Sequence, residues 1–163
     1  MPHLHRLRHD HGPALLTFER ANRAFFAASI PDRGDAYFSE FDARHREILS
    51  EQDAGLHRFH VIVDDGSVIG RVNLVDITDG TAELGYRIAE HVAGRGIATS
   101  AVRQVCALAR DDYGLTTIEA RTTVDNIASQ KVLERTGFTV TGDIDISGQP
   151  GIRYRLDLGP ASG

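Results

Sequence analysis

The densest chemistry in this sequence lies in Ala93-Gly94-Arg95-Gly96-Ile97-Ala98, where a strand-like pattern runs into a helix-like one. Glycines there let the backbone turn tightly and come close to a ligand. The helix start adds unpartnered amides and the positive end of a dipole. Together they suit an anion, and a pyrophosphate in particular. Two familiar phosphate loops do not fit. A P-loop needs a lysine after its last glycine, and none follows here. A dinucleotide fingerprint needs a third glycine where Thr99 stands, and it belongs to an opening βαβ unit rather than to a late turn. Glycines placed for sterics alone would read the same, so the pair does not decide by itself. Cys106 lies mid-helix on an apolar face with no evident base beside it, and reads as a small core residue. His3, His5, His9 and His11 match no zinc spacing and have only Asp10 nearby, so no metal is expected.

These residues need elements to hold them. A short strand is expected around His3 to Arg8. Pro13 can open a helix, and Ala14, Leu15, Phe18, Ala21, Asn22, Phe25 and Phe26 follow a largely helical spacing until Pro31 breaks it. A second helix is expected from Asp35 to Gln52, with Tyr37, Phe38, Phe41, Ile48 and Leu49 apolar. The period then changes to two. Phe59, Val61 and Val63 alternate, Asp65-Gly66 signals a hairpin, and a strand runs from Val68 to Ile77. Asp79-Gly80 signals another hairpin. The next strand puts Ala82, Leu84, Tyr86 and Ile88 on one face and Glu83, Gly85 and Arg87 on the other. A helix from Thr99 to Tyr113 buries Val102, Val105, Cys106 and Ala109. Leu115 to Thr123 reads as a strand. Asn126 is a good N-cap and Gly137 a good C′ residue for the following helix. Phe138 to Thr141 and Ile152 to Leu158 read as final strands, with Asp145 to Gly151 in or near the joining loop. Hairpins mixed with one strand–helix–strand crossover give an α/β fold with a mixed sheet.

Size and composition bound the classes. At 163 residues the chain fits one domain, expected over 1–158 with 159–163 as a tail. A single cysteine excludes an internal disulfide and suits a reducing compartment. No apolar run approaches the roughly 18 residues needed to span a membrane, and the N-terminus has no signal-peptide stretch, so a cytoplasmic protein is expected. The net charge of −5 argues against a nucleic-acid binder and is compatible with a cationic acceptor such as an amine.

At Ala93–Ala98 the sequence resembles the acyl-CoA pyrophosphate loop of GNAT acetyltransferases, Q/R-x-x-G-x-G/A. Ala93 stands where that pattern has Gln or Arg, which removes a side-chain contact and leaves the backbone cradle. A second stretch, Asn126 to Phe138, is similar to the family's N-x-x-S-x-x-V-x-x-x-x-G-F segment. The phrases AELGYRI, GRGIATSAV and NIASQKVLERTGF look like the RimJ/RimL type, which acetylates protein N-termini. The resemblance implies a GNAT fold, with a mixed, mostly antiparallel sheet of about seven strands and four helices, splayed at the central strands. It implies acetyl-CoA as cosubstrate, with Tyr86, Ile88, Ala89, Gly94, Arg95, Gly96, Ile97, Ala98, Thr99, Asn126 and Ser129 around it.

The implied mechanism is direct attack of an amine on the thioester, with a backbone N–H near Ile88 as oxyanion donor. Many GNAT enzymes outside the RimJ/RimL branch place a tyrosine at the position of Leu133 to protonate the leaving thiolate, and this chain lacks it. The serine matching Ser129 is implied to help near the thiol, and it is equally readable as an ordinary first-turn residue. The amine must arrive neutral. For an α-amino group with pKa near 8 that costs about 1 kcal/mol at pH 7, against roughly 4.6 kcal/mol for a lysine. Glu83 is the candidate base, directly or through water, and is equally readable as a solvated strand carboxylate. Asp76, Asp79 and Asp145 are weaker candidates for holding a cationic acceptor. The expected partner is an amine on a protein N-terminus, peptide or small molecule, with no nucleic acid and no membrane, in a monomer or homodimer. An antibiotic or polyamine acetyltransferase and a non-catalytic acyl-CoA-binding module are the rival readings.

Overall fold

Turn chemistry sets the sheet. Asp65-Gly66 has φ of 49° and 78°, and Asp79-Gly80 has 49° and 77°. This is the primed hairpin geometry whose twist suits antiparallel strands. In the computed structural model, which describes residues 2–160, these turns join β2 (Arg58–Asp64), β3 (Ser67–Thr78) and β4 (Thr81–Ile88). β1 (His3–Arg6) pairs with β2. β5 (Thr117–Thr123), β6 (Thr139–Ile146) and β7 (Gln149–Asp157) complete a seven-stranded sheet of order β1-β2-β3-β4-β5-β7-β6. Among the described residues only the β4–β5 pair is parallel. The segment 145–151, expected in or near a loop, is strand on both sides. Only Ser147 and Gly148 turn, with φ of 51° and 83°. Residues 161–163 of the expected tail lie outside the described residues.

The two expected early helices are each divided. α1 (Gly12–Ala21) stops at Asn22, and α2 (Arg23–Ala27) follows. Asn22 leaves helical geometry because its side chain is in use elsewhere. Its amide nitrogen donates to the Phe18 carbonyl at 2.9 Å, and its amide oxygen accepts from the Glu90 N–H at 3.0 Å. The break thus ties α1 to the loop after β4. Likewise α3 (Asp35–Ser39) and α4 (Phe41–Asp53) are separated at Glu40.

α5 (Ile97–Asp111) and α6 (Ile127–Arg135) complete the chain. Both lie on the sheet face that carries Val72, Leu74, Leu84 and Tyr86. Val102, Val105 and Ala109 of α5 are fully buried there with Val72 and Leu74. α6 starts as its sequence dictates, with the Asn126 side chain accepting from the Ser129 N–H at 3.2 Å, and ends before Gly137 at φ 94°. α1 packs on the opposite face, against β3. The two faces therefore present different chemistry where the central strands separate.

Candidate active site

β4 and β5 are paired only over Thr81–Thr117, Ala82–Ile118 and Glu83–Glu119, although β4 runs on to Ile88 and β5 to Thr123. β5 keeps full register with β7 from Thr117 to Thr123, and β4 keeps β3, so the sheet opens between them. Backbone groups in a strand point alternately to its two neighbours. The Ala89 N–H donates to the Ile69 carbonyl of β3 at 2.8 Å, and Arg87 and Gly85 share that side. The amides of Tyr86 and Ile88 therefore point into the opening, where no strand meets them.

A cleft of about 1360 Å³ passes through this opening and reaches both faces. It exceeds the roughly 300–1,000 Å³ of ordinary small-ligand pockets, so it has room for a long cofactor and a second substrate. One end is closed by the glycine loop. Gly94 and Gly96 have φ of 79° and 77°, the left-handed region that disfavours side chains. An added Cβ at either would meet nothing within 4 Å, so the loop faces open space. Gly96 caps α5 with no side-chain bond, leaving the first-turn amides of Ile97, Ala98 and Thr99 directed at the cleft. Lys131 and Arg135 of α6 line the same cleft. A protein of net charge −5 thus carries a cationic cleft: Arg33, Arg71, Arg87, Arg121, Lys131 and Arg135 line it, against Asp125 alone among acids.

Near the opening, the Tyr86 hydroxyl lies 2.9 Å from Ser129 Oγ. Burial raises the Tyr86 pKa above the ordinary tyrosine value, and the bond to Ser129 only partly offsets it. Leu133 is 1% exposed and lines the cleft as a hydrocarbon. Of the residues expected around the cofactor, Tyr86, Ile88, Gly94, Gly96, Ile97, Ala98, Thr99, Asn126 and Ser129 line the cleft. Ala89 and Arg95 do not. Ala89 is fully buried with its amide committed to Ile69, and Arg95 is exposed in the turn between the glycines.

Glu83 is not among the lining residues. Its Oε1 lies 2.7 Å from Arg121 Nε, in an ion pair that bridges β4 and β5 close to where they part. With 32% of its side chain exposed, Glu83 remains within reach of water. Asp76, Asp79 and Asp145 stand outside the cleft in strand and turn roles: Asp76 at a register shift of β3, Asp79 in a hairpin turn, and Asp145 accepting from the Gly148 N–H at 3.2 Å.

The residues missed from sequence form a second cluster. Glu19 of α1, 1% exposed, receives Arg71 Nη1 at 3.1 Å on Oε2 and Arg87 Nη1 at 3.2 Å on Oε1, and Arg33 Nε lies 2.8 Å from Oε2. A signal existed. Glu19 falls on the helical stripe of Leu15, Phe18 and Asn22 that the spacing turns inward, where a charged residue needs a partner. The partners come from positions 33, 71 and 87, which no local pattern links to it.

Other groups are accounted for without chemistry. Burial pushes the Cys106 thiol up to about 11, which suppresses the thiolate. A smaller cavity of about 470 Å³ touches His60, but both ring nitrogens are engaged, with the Val72 carbonyl at 3.0 Å and the Tyr113 hydroxyl at 2.6 Å. His11 Nδ1 accepts from the Arg8 N–H at 2.9 Å, and among the described residues no group of three His, Cys, Asp or Glu side chains could hold a metal ion.

A sequence model of the acetyltransferase (GNAT) domain matches residues 3–139. "Probable N-acetyltransferase YjcK" of Bacillus subtilis (strain 168) is 34% identical over 134 residues, covering 78% of this chain and 74% of that protein. The crystal structure of ribosomal-protein-S5-alanine acetyltransferase from Vibrio fischeri superposes with a TM-score of 0.91 at 22% identity, covering 99% of this chain and 96% of the other. Mycobacterium smegmatis RimJ, solved in complex with CoA-disulfide, superposes with a TM-score of 0.86 at 21% identity, covering 96% and 81%.

Proposed function

The chain belongs to the GNAT acetyltransferase family, and we propose that it moves an acetyl group from acetyl-CoA onto an α-amino group by direct attack within a ternary complex. The observation that carries this reading is the opening between β4 and β5, with the Tyr86 and Ile88 amides turned into it and the uncapped start of α5 at one end. The residues fit acetyl-CoA. Open left-handed glycines and first-turn amides suit a diphosphate, and Lys131 and Arg135 offset phosphate charge. Bound there, acetyl-CoA supplies a thioester.

The chain's own residues then divide the work. The Ile88 N–H donates to the carbonyl oxygen as negative charge develops on it, from a backbone already fixed by β3. The Tyr86–Ser129 hydroxyl pair delivers a proton to the departing sulfur, in place of the tyrosine absent at Leu133. Its raised pKa keeps Tyr86 protonated at neutral pH. Glu83 takes the amine's proton through water, since its carboxylate is held by Arg121 outside the cleft. The Pro31 side of the cleft, with α2, receives the acceptor. Cys106 takes no part. The reaction belongs in the cytoplasm, where a lone thiol stays reduced; among the described residues no helix is long and apolar enough to cross a membrane.

The test is coenzyme A binding by calorimetry, followed by acetyl-CoA-dependent thiol release with a panel of α-amines, lysine peptides, polyamines and aminoglycosides. Submillimolar binding with turnover on α-amines is expected. No affinity for coenzyme A would refute the reading. Tight binding without turnover on any amine would favour a non-catalytic acyl-CoA module.

A further inference from the structure

On the face opposite Tyr86, the cleft holds an unbalanced ion cluster. Arg71 and Arg87 are paired across β3 and β4, Arg33 approaches from the loop before α3, and all three converge on the single carboxylate of Glu19. Two formal positive charges in the cluster are left over. Arg71 is only 4% exposed, yet its Nε has no hydrogen-bond partner. Two residues along β3, the buried Asn73 Oδ1 is also without a partner. One orphan is a donor and the other an acceptor, and both residues line the cleft. Opposite Asn73 in the register is Gly85, where an added Cβ would meet nothing within 4 Å, so space stands open beside them. Burial and the neighbouring guanidiniums of Arg33 and Arg71 pull the Arg87 pKa down, against the pull of Glu19. A network built only to hold the fold would balance its buried charge. Arginine forks also match carboxylate and phosphoryl oxygens better than other cations do.

From this geometry we propose that the acceptor carries its own oxyanion, a carboxylate or phosphoryl group, which docks on Arg33, Arg71 and Arg87 while its amine is held near Asn73 Oδ1. The proposal rests on the acetyltransferase reading and names its substrate class. Arg87 is rooted between Tyr86 and Ile88, one strand residue (about 3.3 Å) from each. Arg33, Arg71, Asn73 and Arg87 line the same cleft as Tyr86 and Ile88, so one small acceptor can reach both the guanidiniums and the opening. Phosphates of the cofactor are directed to the other face, by the glycine loop and α6. The site recognises a zwitterion, not a polycation.

The experiment uses matched acceptors that differ in one charge: an α-amino acid and its amide, an Ala-Asp and an Ala-Asn dipeptide amide, and O-phosphoserine amide with serine amide. Spermidine is the cationic control. With the whole protein and saturating acetyl-CoA, the anionic member of at least one pair is expected to be favoured at least ~10-fold in kcat/KM. Which pair responds distinguishes a main-chain carboxylate, a side-chain carboxylate and a phosphoryl group. Arg33→Gln, a partly exposed position that spares the buried pair, is expected to erase that preference through KM. Any loss on the neutral member of the pair should be clearly smaller than on the anionic one, with coenzyme A affinity read in parallel. Equal rates within every pair, preference for spermidine, or equal loss on both members in Arg33→Gln would overturn the proposal while leaving the acetyltransferase reading intact. Should no acceptor turn over, thermal shifts with succinate and inorganic phosphate in the presence of coenzyme A decide the matter. A shift lost in Arg33→Gln supports the subsite, and no shift overturns it. Absence of coenzyme A binding would instead refute the acetyltransferase reading.

Discussion

Removing either hydroxyl of the Tyr86–Ser129 pair separates a proton relay from a mere packing bond. The two oxygens are 2.9 Å apart in a mostly buried position. If the bond only supports the fold, Tyr86→Phe or Ser129→Ala loses about 1 kcal/mol net. For a chain of this size that lowers Tm by roughly 2–4 °C and leaves kcat near its original value. If the pair protonates the departing sulfur, each single change removes general-acid assistance worth about 10²-fold or more. That is about 2.7 kcal/mol of barrier at the low end. Both groups serve one proton, so the double variant should be no slower than the slower single by more than a few-fold. Because burial raises the Tyr86 pKa, the wild-type kcat should show no descending limb from this group until above pH 10. The assay is steady-state thiol release at saturating acetyl-CoA, with melts of the same four proteins. Rates within three-fold of wild type in both single variants would refute the relay. Multiplicative losses in the double variant would refute the shared proton.

Gly96→Ala forces a side chain into φ 77° and costs about 1–2 kcal/mol, lowering Tm by roughly 2–8 °C. Its Cβ also projects where the diphosphate would lie, so coenzyme A affinity should fall at least ~10-fold by calorimetry. Gly55→Ala, at φ 80° and outside the cleft, is the control with similar strain and unchanged affinity. Glu83→Gln should lower kcat/KM on an α-amine at least ~10-fold at pH 7. The deficit should shrink above pH 8 as the amine deprotonates unaided, and a pH-independent ratio would exclude Glu83 as the base. Burial pushes His60 down to about 4, against about 6.5 in the unfolded chain. Between those values the unfolded chain binds more protons. Stability should therefore fall as pH drops from about 6.5 to about 4, by roughly 3 kcal/mol in full. Urea melts across that range should show the slope, and His60→Gln should flatten it.

What could be read directly from the chain was what short-range chemistry controls. Asp-Gly pairs set the hairpins because few residues tolerate two positive φ values in succession. Asn126 and Gly137 mark the limits of α6 because capping is a matter of three or four neighbouring atoms. The glycine loop and the start of α5 were legible for the same reason, and so was the resemblance they carry. The breaks at Asn22 and Glu40 were less so. Asn22 leaves the helix in favour of Glu90, a partner 68 residues away. Only the folded sheet decided three further things. It fixed where the splay implied by the resemblance begins, after Glu83, since β5 follows β7. It set Glu83 against Arg121, outside the cleft. It also gathered Arg33, Arg71 and Arg87 onto Glu19. Each depends on strands brought together across long sequence separations. Local propensity carries no information about such neighbours, because the energy of a charge is set by what surrounds it in space.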